Sequence, residues 1–160
     1  MVFSSLVFLS AFLPLTLAVY FASPRAVRNH VLLVASLIFY AWGDLSFLGV
    51  MLGVIAVNYL GALALDSVRG NLVRRTLLVT ALTLDFAGLV YYKYAAFLVD
   101  NFVPGVSSHD VFGTVVLPLG ISFYTFQGVS YVVDVFRREV PAQRNILSFA
   151  LFISYFPQLV

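Results

Sequence analysis

Leu45-Ser46-Phe47-Leu48-Gly49-Val50-Met51-Leu52-Gly53-Val54-Ile55-Ala56-Val57-Asn58-Tyr59-Leu60-Gly61-Ala62-Leu63-Ala64-Leu65 carries no charged side chain, and Asn58 is its one strongly polar group. An α-helix rises ~1.5 Å per residue, so a stretch of this length covers about 30 Å, the depth of a bilayer's hydrocarbon core. It reads as a transmembrane helix bounded by Asp44 and Asp66. Similar runs flank it. Upstream, no charge occurs from Met1 to Pro24, and Val31 to Gly43 is a second apolar run. Downstream come Thr76 to Val99, interrupted by Asp85 and Lys93, then the charge-free Val111 to Val133, then Ile146 to Val160. The second run covers only ~20 Å, so it must thin the bilayer, borrow flanking residues or pack as a re-entrant hairpin.

Composition agrees with this reading. Hydrophobic residues make up 62% of the 160 and charged residues 10%, against roughly 45–50% and 25% in soluble domains. Mean hydropathy is +1.01. Disorder, coiled coil and collagen are excluded by this balance. The absence of Cys removes disulfide scaffolds, thiolate nucleophiles and Cys-ligated zinc. A net charge of +2 gives no electrostatic footprint for nucleic acid. Met1-Val2-Phe3-Ser4-Ser5 lacks the basic start of a signal peptide, so no cleavage is expected.

Most charges fall between the runs, and their signs alternate. The first connection has Arg25 and Arg28, the second Asp44, the third Asp66 with Arg69, Arg74 and Arg75. The fourth has Asp100 and Asp110 around Pro104-Gly105-Val106-Ser107-Ser108, which reads as an exposed turn; the fifth has Arg137, Arg138, Glu139 and Arg144. Lys and Arg favour short cytoplasmic loops. The fold expected is therefore all-α: a polytopic transmembrane helical bundle with five complete spans and a truncated sixth, N-terminus extracytoplasmic. Connections one, three and five lie inside.

Three ionisable groups lie within or at the edge of the runs. Asp85 is ten residues into the fourth run, where a carboxylate needs a cation or several donors. Lys93 is ~12 Å further along the axis, too far for a direct pair, and is expected to snorkel to the interface among Tyr91, Tyr92 and Tyr94. Asp134 precedes Arg137 and Arg138 at helical spacing, an arrangement that supports a helix end. In the fifth run, Pro118 and Gly120 are expected to kink or break the helix. Past the break, Tyr124, Gln127, Tyr131 and Asp134 recur at spacings that line one face. Such a face either hydrogen-bonds neighbouring helices or borders a polar tunnel. Gly49 and Gly53 form a GxxxG match, with Gly61 further along, which permits close helix contact. His30 and His109 sit in connections, away from any buried catalytic position.

Several blocks, taken in order, resemble bacterial membrane-bound O-acyltransferases (MBOAT). They are Met1-Val2-Phe3-Ser4-Ser5 with Phe12-Leu13-Pro14, Leu32-Leu33-Val34-Ala35-Ser36 leading to Phe39-Tyr40-Ala41-Trp42, and Tyr92-Lys93-Tyr94. The most specific is Leu117-Pro118-Leu119-Gly120-Ile121-Ser122-Phe123-Tyr124-Thr125-Phe126, continuing to Ser130-Tyr131 and Asp134-Val135-Phe136-Arg137; Phe156-Pro157-Gln158-Leu159-Val160 closes the series. Within that family the chain is most similar to the membrane subunit of alginate O-acetylation. The resemblance implies one MBOAT-like transmembrane domain, of which residues 1–160 are the N-terminal portion, in the bacterial cytoplasmic (inner) membrane. It implies an acyltransferase that moves an acetyl or other acyl group from a cytoplasmic donor, acetyl-CoA or an acylated carrier protein, with no bound cofactor or metal. The acceptor is an extracytoplasmic polysaccharide such as alginate, reached through a relay or transferase protein. The family's catalytic histidine lies beyond residue 160, and neither His30 nor His109 occupies its motif, so no catalytic residue is carried over and the segment is expected to be inactive alone. Tyr124, Gln127, Tyr131, Asp134 and Asp85 are the candidate tunnel-lining or support residues. The alternatives are a transporter- or channel-like bundle, for which paired broken helices are expected, and a non-catalytic membrane assembly subunit.

Overall fold

The computed structural model describes residues 6–43, 45–102, 118 and 120–159. Met1–Ser5, the Pro104–Asp110 turn and the Val111–Leu117 start of the fifth run lie outside the described residues. Among the described residues every regular element is a helix. A π-helical turn, Phe8–Phe12, leads into α1 (Leu13–Ala22), followed by α2 (Arg28–Gly43), α3 (Leu45–Ser67) and α4 (Asn71–Lys93). Then come α5 (Ala95–Phe102), α6 (Ile121–Arg137), α7 (Ile146–Ser154) and α8 (Phe156–Leu159). Phe47–Ser67, within α3, is long and apolar enough to cross a membrane.

The helix boundaries refine the apolar runs. The short second run borrows Arg28, Asn29 and His30, and as α2 reaches about 24 Å. The fourth run is two helices: Tyr94 caps α4 at φ −117°, its N–H bonding Val90 O, and α5 restarts at Ala95. The sixth run is also divided, at Tyr155 (ψ 105°). Pro157 explains that division, because in a continuous helix it would remove the bond to Ile153 O and clash with that carbonyl. α7 starts cleanly at Asn145, whose side chain accepts from the N–H groups of Leu147 (2.9 Å) and Ser148 (3.3 Å).

Arg74 fixes how the longer helices run. Its guanidinium donates to the carbonyls of Leu65 and Val68 at the end of α3, and to Val135 O (3.3 Å) and Phe136 O (2.8 Å) at the end of α6. The C-terminal ends of α3 and α6 therefore share one pole of the bundle with the start of α4. At the opposite pole, Lys93 Nζ at the end of α4 donates to Ser122 Oγ in the first turn of α6 (3.0 Å). The connections around Arg69–Arg75 and Arg137–Arg144 are thus on the same side of the molecule, as the alternation of charges requires.

Polar residues are buried beside an apolar core while many large apolar side chains face outward. Asn58, Asp85 and Arg74 are 0%, 3% and 5% exposed, whereas Leu72, Leu15 and Leu60 are 79%, 65% and 62% exposed. Hydroxyls on the outward faces return their protons to the helix: Ser67, Thr76, Thr80 and Thr83 each donate to the carbonyl four residues earlier. A surface in contact with hydrocarbon needs this, since nothing outside can accept a hydrogen bond. The interior is held by aromatic packing, with Phe8, Phe12, Phe39 and Phe156 in mutual contact at one corner.

Replacing Arg74 by Met is expected to destabilise the bundle by about 2–3 kcal/mol, since it leaves buried carbonyls without a charged donor. Arg74→Lys is expected to recover only part, because an ammonium cannot fork between two helix ends. Unfolding of the variants in detergent micelles measures both.

Candidate functional site

Helix α6 carries most of the residues singled out above. Gly120 enters it in the left-handed region (φ 72°, ψ 10°), with Ile121 N–H bonding Pro118 O at 3.3 Å and Tyr124 N–H bonding Gly120 O at 3.1 Å. These are the values of the third residue of a type II turn, a place suited to glycine. Pro118 and Gly120 therefore precede the helix as its start signal; within the described residues they do not kink it. At the far end Arg138 also adopts φ 64°, and Glu139 N–H reaches back to Asp134 O at 3.0 Å, a Schellman closure with arginine where glycine is usual.

The four polar residues on α6 find different partners. Tyr124 is fully buried against α2, its hydroxyl accepting from Tyr40 at 3.4 Å with the rings in T-shaped contact. Gln127 donates to Phe152 O of α7 (2.9 Å), one of the carbonyls that the end of that helix leaves free. The Tyr131 hydroxyl accepts from the Gln143 N–H (2.7 Å), and its ring stacks on Phe149 with centroids 4.8 Å apart. Tyr59 holds the same connection by donating to Arg144 O (2.7 Å), and Arg144 pairs with Asp66 at 3.3 Å. Asp134 is not paired with Arg137 as its spacing suggested: Arg137 turns to Glu139 at 2.8 Å. The left-handed turn at Arg138 folds the chain back and brings Glu139 within reach.

Gln127, Tyr131 and Asp134 share more than a helix face. With Ser122, Ser130 and Phe152 they border a groove of about 770 Å³ between α6 and the α7 side. From Ser122 to Asp134 the groove follows α6 for about 18 Å. It runs from the pole of Lys93 toward the pole of Arg74. Tyr124 lies behind this wall and does not line it. Both readings of the polar face therefore apply to different atoms: Tyr124, Gln127 and Tyr131 bond neighbouring segments, and three of the four residues also edge the groove.

Asp85 belongs to a separate site deep between α3, α4 and α6. One donor reaches it, Asn58 Nδ2 to Oδ1 at 3.0 Å, while the same amide group also bonds Val54 O at 2.9 Å. Lys93 is engaged elsewhere, with Ser122 and over the Tyr94 ring at 5.5 Å. Gly128 of α6 makes this junction possible. A Cβ there would sit 2.6–2.9 Å from the Asn58 amide. The GxxxG pair plays no such part: Cβ atoms at Gly49 and Gly53 would meet nothing within 4 Å, while one at Gly61 would touch Ala81 at 3.4 Å. Close helix approach thus sits at Gly61 and Gly128. Asn58 was visible as the lone polar group of its run; Arg74 was not, because a loop arginine carries no sequence mark of burial. His30 lies at the edge of an apolar groove between α1 and α2, and His109 is outside the described residues.

Comparison with known proteins gives a consistent set of relatives. The chain is 44% identical, over its whole length, to the probable alginate O-acetylase AlgI of Azotobacter vinelandii and 42% identical to that of Pseudomonas aeruginosa. It is 30% identical to the peptidoglycan O-acetyltransferase of Helicobacter pylori. The chain spans about a third of the length of these relatives (33%, 32% and 36%). No family model matches it, and no solved structure does.

Gly128→Ala is expected to push Asn58 off Asp85 and destabilise the bundle by about 1–3 kcal/mol. In an Asn58→Ala background the same change should cost much less, and a double-mutant cycle of unfolding free energies reads the coupling. Asp85→Asn should be better tolerated than Asp85→Leu, since only the amide keeps a group that can bond Asn58.

Proposed function

We propose that this relative of the alginate O-acetylases, membrane-bound O-acyltransferases to which it is similar along its whole length, takes part in moving an acetyl group across the bacterial inner membrane for O-acetylation of an extracytoplasmic polysaccharide such as alginate. The observation that carries the reading is 44% identity over all of the chain. The donor is acetyl-CoA or an acylated carrier protein on the cytoplasmic side, and a relay or transferase protein receives the group outside. No cofactor is held.

In this reading the basic pole, with Arg69, Arg74, Arg138 and Arg144, faces the cytoplasm, because lysine and arginine are retained there. The runs then cross as five spans and the beginning of a sixth, and the N-terminus is extracytoplasmic. The α6 groove supplies one wall of the acyl path, edged by Gln127, Tyr131 and Asp134. Tyr124 and Asp85 support that wall from behind, by fixing α6 to α2 and by bracing the α3–α4 pair against which α6 packs. A catalytic base must come within ~3 Å of the proton it removes. That base is the family's histidine, contributed from outside these 160 residues, so this segment shapes the path and does not perform the chemistry.

The layout and the role are tested apart. Cysteines placed at Ser107 and Ser67 should label oppositely with an impermeant thiol reagent, Ser107 from outside intact cells and Ser67 only after permeabilisation; labelling from one side would refute the layout. Polysaccharide acetylation in a strain lacking the gene should return with the full reading frame and not with residues 1–160. In that full-length background, Asp134→Ala and Gln127→Ala should lower acetylation at unchanged protein level. Full activity in both variants would remove the groove from the path.

A further inference from the structure

Between α3, α4 and α6 lies a pocket of about 160 Å³, lined by Val54, Leu89 and Ile121 at its floor and open at its mouth, where Gly53 is exposed and Leu84 is 54% exposed. Asp85 and Thr125 also line it. Asp85 Oδ2 and Thr125 Oγ1 have no hydrogen-bond partner among the protein's own atoms, although the two residues are only 3% and 1% exposed. Two polar oxygens held this deep in apolar surroundings are costly unless something bonds them. The room beside them is not a packing accident forced by neighbouring bulk. A Cβ at Gly53 or Gly88 would meet no atom within 4 Å, so alanine fits at either position and would narrow the cavity. Liquid water occupies ~30 Å³ per molecule, so the space has room for a few waters.

We propose that this cavity is a built hydration site, in which ordered water bridges Asp85 Oδ2 to Thr125 Oγ1. Asn58 joins α3 to α4 directly through Asp85 Oδ1; the water joins α4 to α6 through the other carboxyl oxygen. The ligand must be small and must be able both to donate and to accept, since it faces a carboxyl oxygen on one side and a hydroxyl on the other. The two glycines leave it room. This assignment is independent of the acyl-transfer reading and holds whatever passes along the α6 groove.

The chain in lipid nanodiscs provides the test, with thermal unfolding and hydroxyl-radical footprinting, which marks side chains beside bound water. Wild-type protein should label at Leu89 and Ile121 despite their burial. Gly88→Ala, which introduces no clash, should lower that labelling severalfold and lower the unfolding midpoint by several degrees, as water is displaced without replacement of its bonds. Thr125→Val should lower the midpoint likewise and Thr125→Ser should not. A midpoint raised or unchanged by Gly88→Ala, with Leu89 and Ile121 unlabelled in the wild type, would identify a dry void and overturn the proposal. A midpoint that rises with sodium but not with choline at equal ionic strength would place an alkali cation on Asp85 and overturn it as well.

Discussion

The buried guanidinium of Arg74 holds together the C-terminal ends of two helices. The last carbonyls of a helix have no partner within it, and they carry the negative pole of its dipole. In water such groups are solvated; beside lipid they must be satisfied by the protein. Arg74 satisfies those of α3 and α6 together from a position in the first turn of α4, and its charge lies over the ring of Phe136 at 5.6 Å. α3 and α6 run parallel and pack directly on each other, α4 runs antiparallel against both, and Arg74 joins all three at one pole. Lys93 and Ser122 close the other pole.

The same constraint organises the interior. Five polar side chains tie one segment to another: Asn58 to Asp85, Tyr40 to Tyr124, Gln127 to Phe152, Tyr131 to Gln143 and Tyr59 to Arg144. Large apolar side chains are left facing outward, where they cost nothing in a bilayer. Helix α6 takes part in three of these five ties, and it also borders the groove edged by Gln127, Tyr131 and Asp134. Gln127 and Tyr131 both tie α6 to its neighbours and edge the groove, and this double use of one helical surface underlies the acyl path proposed above.

The relatives place that wall in context. They are named as O-acetylases of alginate and of peptidoglycan, and this chain corresponds to about a third of their length. The chemistry of acetyl transfer and the choice of acceptor belong, in the reading proposed, to the larger protein. What these 160 residues contribute is architecture: a polar interior locked at Asn58–Asp85–Gly128, a basic pole, and a groove running between the poles.

How much of this was legible beforehand follows from what kind of information a sequence carries. Hydrophobic run lengths reported the helices and the all-α class, because the bilayer sets a minimum length and a minimum apolarity for each crossing. Alternating loop charges put the third and fifth connections on one side, and Arg74 is found joining those two. Pro118 and Gly120 marked a break, but only their observed dihedral angles and bonds identify it as the start of a helix. The spacing of Tyr124, Gln127, Tyr131 and Asp134 correctly gave one helical surface, yet that surface is wider than any one neighbour. Tyr124 consequently meets α2, Gln127 meets α7, and Asp134 edges the groove. The glycine pattern held only at Gly61: spacing says where close approach is allowed, and the partner helix decides where it happens, at Gly61 and at Gly128 but not at Gly49 or Gly53. Sequence alone determined the helical class and the apolar character of the helix surfaces, since those depend on each segment and its solvent. Partnership between distant residues, including the burial of Arg74, was decided only when the helices packed, since it depends on what every other segment leaves unsatisfied.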